Sequence, residues 1–378
     1  MPTEGDGGRP GESSRQAASD SSGSSDGLAG VGLTLGARRQ HVDAVLDQFR
    51  RVTDEGIRSY LPDKEPRRYL YDLVSSYPQR AGKGLRPSLC IASCLAHGGS
   101  LSQVTRAAVA LELFHNGFLV HDDVEDGSEY RRGLPTLHAE HGIPIAVNVG
   151  DALNVMSIRP LMDNLGPLGA KVTWQVFCEV EHMVRESVEG QAIELGWVRD
   201  NSCDLTESDY LRMSLKKTCW YTCMHPIRIG AVIGSDGAVQ AARFDRFGYY
   251  LGAAFQIQDD LLNLVAEYQR YGKEILGDIW EGKRTMMLIH LLQHAEAADR
   301  LRLEAFLATP RVERVERDVR WVFGRMEEYG SLEFGRSCAG QLAGAALVEF
   351  DRAFGHLTPN EHTQFIRDIV LYMIERDL

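Results

Sequence analysis

The residues with most chemistry to offer are two acidic runs set 137 positions apart, His121-Asp122-Asp123-Val124-Glu125-Asp126 and Phe255-Gln256-Ile257-Gln258-Asp259-Asp260-Leu261-Leu262-Asn263. Residues on an α-helix advance by about 100°, so Asp122 and Asp126 fall within about 40° of each other. His115, seven residues earlier, falls on the same face. In the second run Gly252, Gln256, Asp259 and Asn263 share a face at spacings of four, three and four. Clustered carboxylates repel unless a cation holds them, and an all-oxygen donor set suits Mg²⁺. The first run could be a solvated acidic helix end, but it follows directly on the apolar 111–120 stretch. Facing each other across a bundle, the two runs would clamp Mg²⁺ ions around one polyanion, most economically a diphosphate.

Cations complete the pattern. Gly82-Lys83-Gly84-Leu85-Arg86-Pro87 sets two of them among glycines, where backbone can approach a phosphate closely. It lacks the spacing of a Walker loop. Arg131-Arg132-Gly133, Lys216-Lys217-Thr218 and the stretch from Gly272-Lys273 to Gly282-Lys283-Arg284-Thr285 add more. Each alone reads as surface charge. Together with the acidic runs they suggest two diphosphate sites, one metal-bound and one held by Lys, Arg and His.

Helices must carry these groups. Leu111, Phe114 and Phe118, and later Leu251, Phe255 and Leu262, recur at helical steps. Thr358-Pro359-Asn360-Glu361 reads as an N-cap, a first-turn Pro and a capping-box Glu. Strand alternation and hairpin signals are nearly missing. Breaks fall around 164–169, 199–205 and 272–282. The expectation is an all-α fold, one bundle of ten or more helices around a central cavity.

The rest of the chain narrows the class. Residues 1–36, rich in Gly and Ser with scattered acids, read as a disordered tail, and residues 37–378 as one folded domain. The 378-residue chain carries 53 acidic against 41 basic side chains, a net charge of −12, which argues against nucleic acid or an anionic membrane as partner. It contains no apolar run long enough to span a bilayer. Seven scattered cysteines and no basic leader suggest reduced thiols in the cytoplasm. Cys90/Cys94 and Cys219/Cys223, each one helical turn apart, read as buried apolar thiols.

In combination and order, GKGLRP, HDDVEDGSEYRRG, GQAIEL, LKKT, FQIQDDLLNL, GKEILGDIWEGKRT and the closing YMIERDL resemble the trans-isoprenyl diphosphate synthases, or polyprenyl synthetases, across nearly all of residues 40–378. The resemblance implies an all-α fold, Mg²⁺, isopentenyl and allylic prenyl diphosphates as substrates, and a homodimer. By position it assigns Asp122, Asp123, Asp126, Asp259, Asp260 and Asn263 to the metal and the allylic diphosphate. Lys83, Arg86, His115 and Arg132 correspond to residues that hold isopentenyl diphosphate without metal. Arg131, Lys217, Lys273 and Lys283 correspond to diphosphate contacts, while Gln256 and the Lys217-Thr218 turn lie where the family stabilises an allylic cation. Two positions depart from the pattern: Asn263 and Glu194 stand where many members have Asp.

The implied chemistry is ionisation of an allylic diphosphate, attack by the isopentenyl double bond and loss of a proton in a water-excluding site. For chain length, Phe118 and Phe114 lie one and two turns below Asp122, about 6 and 12 Å down by helical rise. Gly117 stands where many shorter-chain enzymes carry an aromatic. The expectation is that Gly117 opens the pocket past fifteen carbons and that Phe118 or Phe114 closes it at twenty, giving geranylgeranyl diphosphate; alternatively these rings are core and the floor lies elsewhere. Other readings are a longer- or shorter-chain synthase, a terpene cyclase on the same fold, and a non-catalytic regulatory subunit.

Overall fold

Ser100 opens the central helix α4 (Leu101–Asp126): its N–H donates to Gln103 Oε1 at 3.0 Å, and Gln103 N–H to Ser100 O. Gly127, with φ of 64°, ends it directly after Asp126. The first acidic run therefore occupies the helix C-terminus, where the helix dipole disfavours negative charge and cations are needed nearby.

The computed structural model describes residues 35–80, 82–265 and 276–375. Before α4 come α1 (Leu35–Tyr60), α2 (Asp72–Gln79) and α3 (Leu85–Ala96). After it come α5 (Leu137–His141), α6 (Ile143–Met162), α7 (Leu165–Arg199), α8 (Glu207–Ser214), a π-helix over Leu215–Met224, α9 (His225–Gly234) and α10 (Asp245–Val265). The later helices are α11 (Gly277–Glu281), α12 (Met286–His294), α13 (Ala297–Ala308), α14 (Glu316–Glu328), α15 (Ser331–Phe354) and α16 (Glu361–Ile374). Among the described residues the strands are one two-residue antiparallel pair, Tyr130–Arg131 with Leu134–Pro135. The chain is all-α, as the helical period predicts.

α4 is apolar around most of its circumference and packs on several neighbours, which makes it the axis of the bundle. On one side Leu111 and Phe114 join Leu89 and Ile91 of α3, Ile227 of α9 and Leu251 of α10 in a common core. Toward α6, Leu113 and Val120 pack with Val149 and Leu153. A second core, including Ile257 and Leu261 of α10, Met287 and Leu291 of α12 and Val322 of α14, fixes the C-terminal half of α10. Both acidic runs thus sit on helices anchored by buried apolar rows.

Two local expectations change. α16 starts two residues later than the Thr358 reading: Asn360 is the cap, its Oδ1 accepting from His362 N and Thr363 N at 3.0 Å each. Asn360 wins because its short amide reaches the free first-turn N–H groups, while Thr363 returns the bond to Asn360 N. At the N-terminus, helix already begins at Leu35, just inside the expected tail, and residues 1–34 lie outside the described residues.

Candidate active site

The last turn of α4 is held by cations from three places. Asp122 Oδ2 accepts from Arg131 at 3.0 Å, and Lys217 Nζ of the π-helix lies 3.6 Å from its Oδ1. Asp126 Oδ2 accepts from Lys283 at 2.5 Å, and Lys283 also pairs with Glu281 at 2.8 Å. Burial pushes the Asp126 carboxyl well above the usual carboxylate range, and Asp122 and Glu281 add to this against the pull of Lys283. Lys217 also pairs with Glu194. Burial alone would lower its ammonium, but Glu194 and Asp122 raise it.

Asp123 and Arg131 are paired inside the protein. Asp123 is 1% exposed and takes both the Tyr77 hydroxyl and Arg131 Nε. Arg131, expected at the allylic diphosphate, is buried between Asp122 and Asp123. A buried unpaired charge would be costly, and this clasp removes two at once.

On α10, Asp260 accepts from Tyr210 OH at 2.7 Å and from Gln256 Nε2 at 2.7 Å. Burial and neighbouring Asp259 still push its carboxyl up. Asn263, expected as an oxygen ligand, accepts from Asp278 N through Oδ1 and from Leu276 N through its backbone carbonyl, both at 3.0 Å. A neutral amide suits that contact with a backbone N–H. Asp259 is half-buried on the same helix.

This donor set suits a hard divalent cation. Asp122, Asp126 and Asp259 offer only oxygen, and the ammoniums of Lys217 and Lys283 stand against the first two as positive charge the cluster requires. Among the described residues no three Asp, Glu, His or Cys side chains already converge on one point.

The second group of cations forms a separate cradle at the starts of α3 and the Arg131-Arg132 turn. Arg86 donates to Thr222 Oγ1 at 2.8 Å and approaches His115 Nε2 at 3.3 Å, with its guanidinium over the Tyr221 ring at 4.1 Å. Because an arginine can only donate, His115 accepts through Nε2 and carries its proton on Nδ1, facing Tyr221 OH. Burial, then Arg86 and Arg132, hold His115 well below the usual histidine range, which keeps it neutral. Arg132 has φ of 55° and donates to Arg80 O at 2.6 Å. Lys83 donates to Tyr372 OH of α16 at 2.8 Å, and that hydroxyl to Asp43 of α1 at 2.6 Å. Lys273 lies outside the described residues.

The π-helix connects the two groups. Lys217 reaches the acidic run, Thr218 donates to Gln256 Oε1 at 2.6 Å, Tyr221 faces His115, and Thr222 receives Arg86. Wide π turns of this kind recur at functional sites. GQAIEL on α7 makes the close approach possible. A Cβ at Gly190 would collide with the Lys217 backbone nitrogen. Gln191 in turn donates to Glu125 at 2.6 Å, and Glu194 accepts Lys217.

The residues matched to chain length divide. Phe114 and Phe118 meet edge to face at 4.5 Å, and Phe118 meets Tyr221 at 5.5 Å, so they form one aromatic ladder below the site. Gly117 does not open a space beside them. Its missing Cβ points at α6, where it would collide with Asn154 Oδ1 and come within 3.1 Å of Gly150 O, so glycine serves helix contact there.

Comparison with known proteins decides the family. The polyprenyl synthetase family model matches residues 67–324. The chain belongs to the polyprenyl synthetase family. A short chain isoprenyl diphosphate synthase of Methanothermobacter thermautotrophicus is 31% identical over 298 residues, covering 78% of this chain and 87% of that protein. A geranylfarnesyl diphosphate synthase of Natronomonas pharaonis is 29% identical over 353 residues, covering 89% of this chain and 98% of that protein. The structure of the geranylgeranyl pyrophosphate synthetase from Pyrococcus horikoshii superposes with a TM-score of 0.77 at 28% identity, covering 89% of this chain and 99% of that one.

This polyprenyl synthetase is a prenyltransferase that elongates trans-prenyl diphosphates. Several of its site residues escape a reading by motif. Tyr77, whose hydroxyl locks Asp123, and Arg80, stacked 4.4 Å over the Tyr77 ring, carry no distinctive spacing, while Glu281, which shares Lys283, lies inside the GKEILGDIWEGKRT stretch without being singled out there. Tyr221 and Thr222 could have been found: they follow Lys217-Thr218 by one helical turn. No helix among the described residues is long and apolar enough to cross a membrane.

Proposed function

We propose that this enzyme condenses isopentenyl diphosphate with an allylic diphosphate to give geranylgeranyl diphosphate, with Mg²⁺ as its metal, as a homodimer. The observation that carries the two-substrate reading is the π-helix, which touches an acidic group at Lys217 and a metal-independent cationic cradle at Tyr221 and Thr222. A condensation needs two diphosphate sites held at a fixed distance; a cyclase needs one.

In this reading Asp122, Asp126 and Asp259 would hold the metal, which neutralises charge on the leaving diphosphate when bound. Lys217 and Lys283, which stand against Asp122 and Asp126, would contribute positive charge to the same diphosphate. Thr218 and Gln256, already bonded at 2.6 Å, present oxygens toward the developing allylic cation. Lys83, Arg86, Arg132 and neutral His115 orient isopentenyl diphosphate so that its double bond faces that cation. The Phe118–Phe114 ladder borders the growing chain and excludes water from it.

A twenty-carbon product fits a floor at Phe114, two turns below Asp122, and lies between the short-chain and geranylfarnesyl relatives. The homodimer is supported by an exposed apolar stripe on α6, Val147, Val155, Ile158 and Met162, continued by Leu165 and Trp174 of α7. Seven free cysteines suit a reducing cytoplasm.

The test incubates purified protein with isopentenyl diphosphate and, separately, dimethylallyl, geranyl or farnesyl diphosphate, with and without Mg²⁺. A Mg²⁺-dependent linear twenty-carbon alcohol released only by phosphatase is the expected product. A longer alcohol overturns the assignment of Phe114 as floor. Hydrocarbon formed without isopentenyl diphosphate overturns the two-site reading.

A further inference from the structure

The π-helix Leu215–Met224 has a second face, turned away from the substrates, and that face rests on a histidine pair, one ring buried and one partly open, that the chemistry above does not use. His182 Nδ1 of α7 lies 2.9 Å from His225 Nε2 of α9. His225 is fully buried, and its Nδ1 lies 2.7 Å from Glu179 Oε2. Glu179 also takes Arg228 Nε and NH2 at 2.7 Å each, and Arg228 NH1 reaches Asp245 of α10 at 2.7 Å. The Trp220 ring of the π-helix packs on both imidazoles, 4.7 Å from His182 and 5.0 Å from His225. Beside it Lys216 ties the same helix to Glu186 and Glu189 of α7 at 2.9 and 2.6 Å.

The proton count of this chain is limited by its geometry. Glu179 accepts from its partners, so His225 carries a proton on Nδ1. The 2.9 Å N···N contact then has room for one proton between the rings, and either ring can supply it. The pair is compatible with two neutral imidazoles or with one imidazolium. Two imidazolium rings would set N–H against N–H and charge against charge. The outer ring, His182, has a side chain 35% exposed and lies 3.9 Å from Glu186, so it can exchange protons with water. Arg185 stands 3.9 Å from Glu186 on the same helix. The charged groups around the pair are therefore Glu179, Glu186, Glu189 and Arg185 of α7, Lys216 of the π-helix, Arg228 of α9 and Asp245 of α10. Burial lowers His225 despite Glu179, in line with a ring that resists a second proton.

We infer that His182 and His225 are positioning residues, a proton-limited brace that holds the π-helix in register for both substrate sites and releases it when both rings are fully protonated. Release at Trp220 would shift Lys217 and Thr218 together with Tyr221 and Thr222, since all ride on the same ten-residue helix. Acidification should then lower kcat/KM for the allylic and the isopentenyl substrate together. This inference rests on the two-site reading of the π-helix. Failure of that reading would show as wild-type enzyme that does not consume isopentenyl diphosphate. Failure of the brace leaves wild-type condensation intact.

The experiment compares pH profiles of kcat/KM for both substrates in the wild type and in His182→Phe, which keeps a ring against Trp220 but cannot take a proton. As pH falls below 6.5, the ordinary histidine value that burial lowers further at His225, the wild type is expected to lose about threefold more activity than the variant toward each substrate. Titration of active-site carboxylates is common to both proteins and cancels in the comparison. Superimposable profiles overturn the inference. A second readout does not depend on the variant folding: ¹⁵N NMR of wild-type protein labelled at histidine should show an N–N coupling between the two rings that disappears in one step on acidification. Two rings that titrate independently overturn the inference as well.

Discussion

Lys283 Nζ lies 2.5 Å from Asp126 Oδ2, joining the loop before α12 to the end of α4 across 157 positions of sequence. The pair sits beside Glu281, Asp122 and Lys217, so its ammonium offsets several carboxylates at a helix end where the dipole adds to the repulsion. Lys283→Met should lower kcat/KM for the allylic substrate by roughly 10²-fold, because one partner of a desolvated charge contact is lost. The KM for isopentenyl diphosphate should stay within about twofold, since its cradle is built from other residues. Adding Asp126→Asn to Lys283→Met should cost less stability than the two single changes summed, and urea unfolding of the four proteins measures that coupling.

Adjacent Asp122 and Asp123 should fail in opposite ways. Asp123 is spent on Tyr77 and Arg131 in the interior, while Asp122 is partly open and faces Lys217. Asp123→Asn leaves Arg131 underpaired and should destabilise the fold by about 3 kcal/mol. Asp122→Asn should leave the urea midpoint near that of the wild type and cut kcat by about 10²-fold or more. Equal losses of stability in both variants would contradict the division.

Helix content and the order of the motifs are legible in the sequence because apolar steps of three and four, and short runs such as GKGLRP, are local. The partners of the motif residues are not. Tyr77 reaches Asp123 across 46 positions and Lys217 reaches Glu194 across 23, and no periodicity marks either end. Direction is the other hidden quantity. Asn263 and Asp259 share a helical face in the pattern, yet Asn263 Oδ1 accepts from Asp278 N, fifteen positions on, a partner that the pattern does not name. Gly117 is a similar case: a glycine signals close approach, but only the fold says that α6 is what approaches.

Phe114 and Gly117 separate pocket from packing. Phe114→Ala removes the lower ring of the ladder, the floor beneath Phe118, and should lengthen the products by at least one isoprene unit, read by chromatography of the dephosphorylated alcohols. Gly117→Ala should leave product length unchanged and instead weaken α4–α6 packing by about 1–3 kcal/mol, as overpacked contacts do. Combining it with Asn154→Gly, which removes the atom a Cβ would strike, should recover part of that loss. Shorter products from Gly117→Ala would return the glycine to the pocket.

Glu179 supplies a stability change with a defined pH window. Burial alone would raise its carboxyl, but hydrogen bonds from His225 and Arg228 and the Arg228 charge hold it down at about 2. The unfolded chain has the ordinary value of 4.5, so the folded state binds the proton less well. The stabilisation is therefore complete above pH 4.5 and lost as pH falls toward 2. A shift of this size corresponds to about 3 kcal/mol at neutral pH, falling to about 1 kcal/mol at pH 3. Glu179→Gln should lower the unfolding free energy by up to that amount at pH 7, and the gap to the wild type should close over the same window. A gap that stays constant down to pH 3 would mean that Glu179 acts through the shape of its side chain and not through its charge.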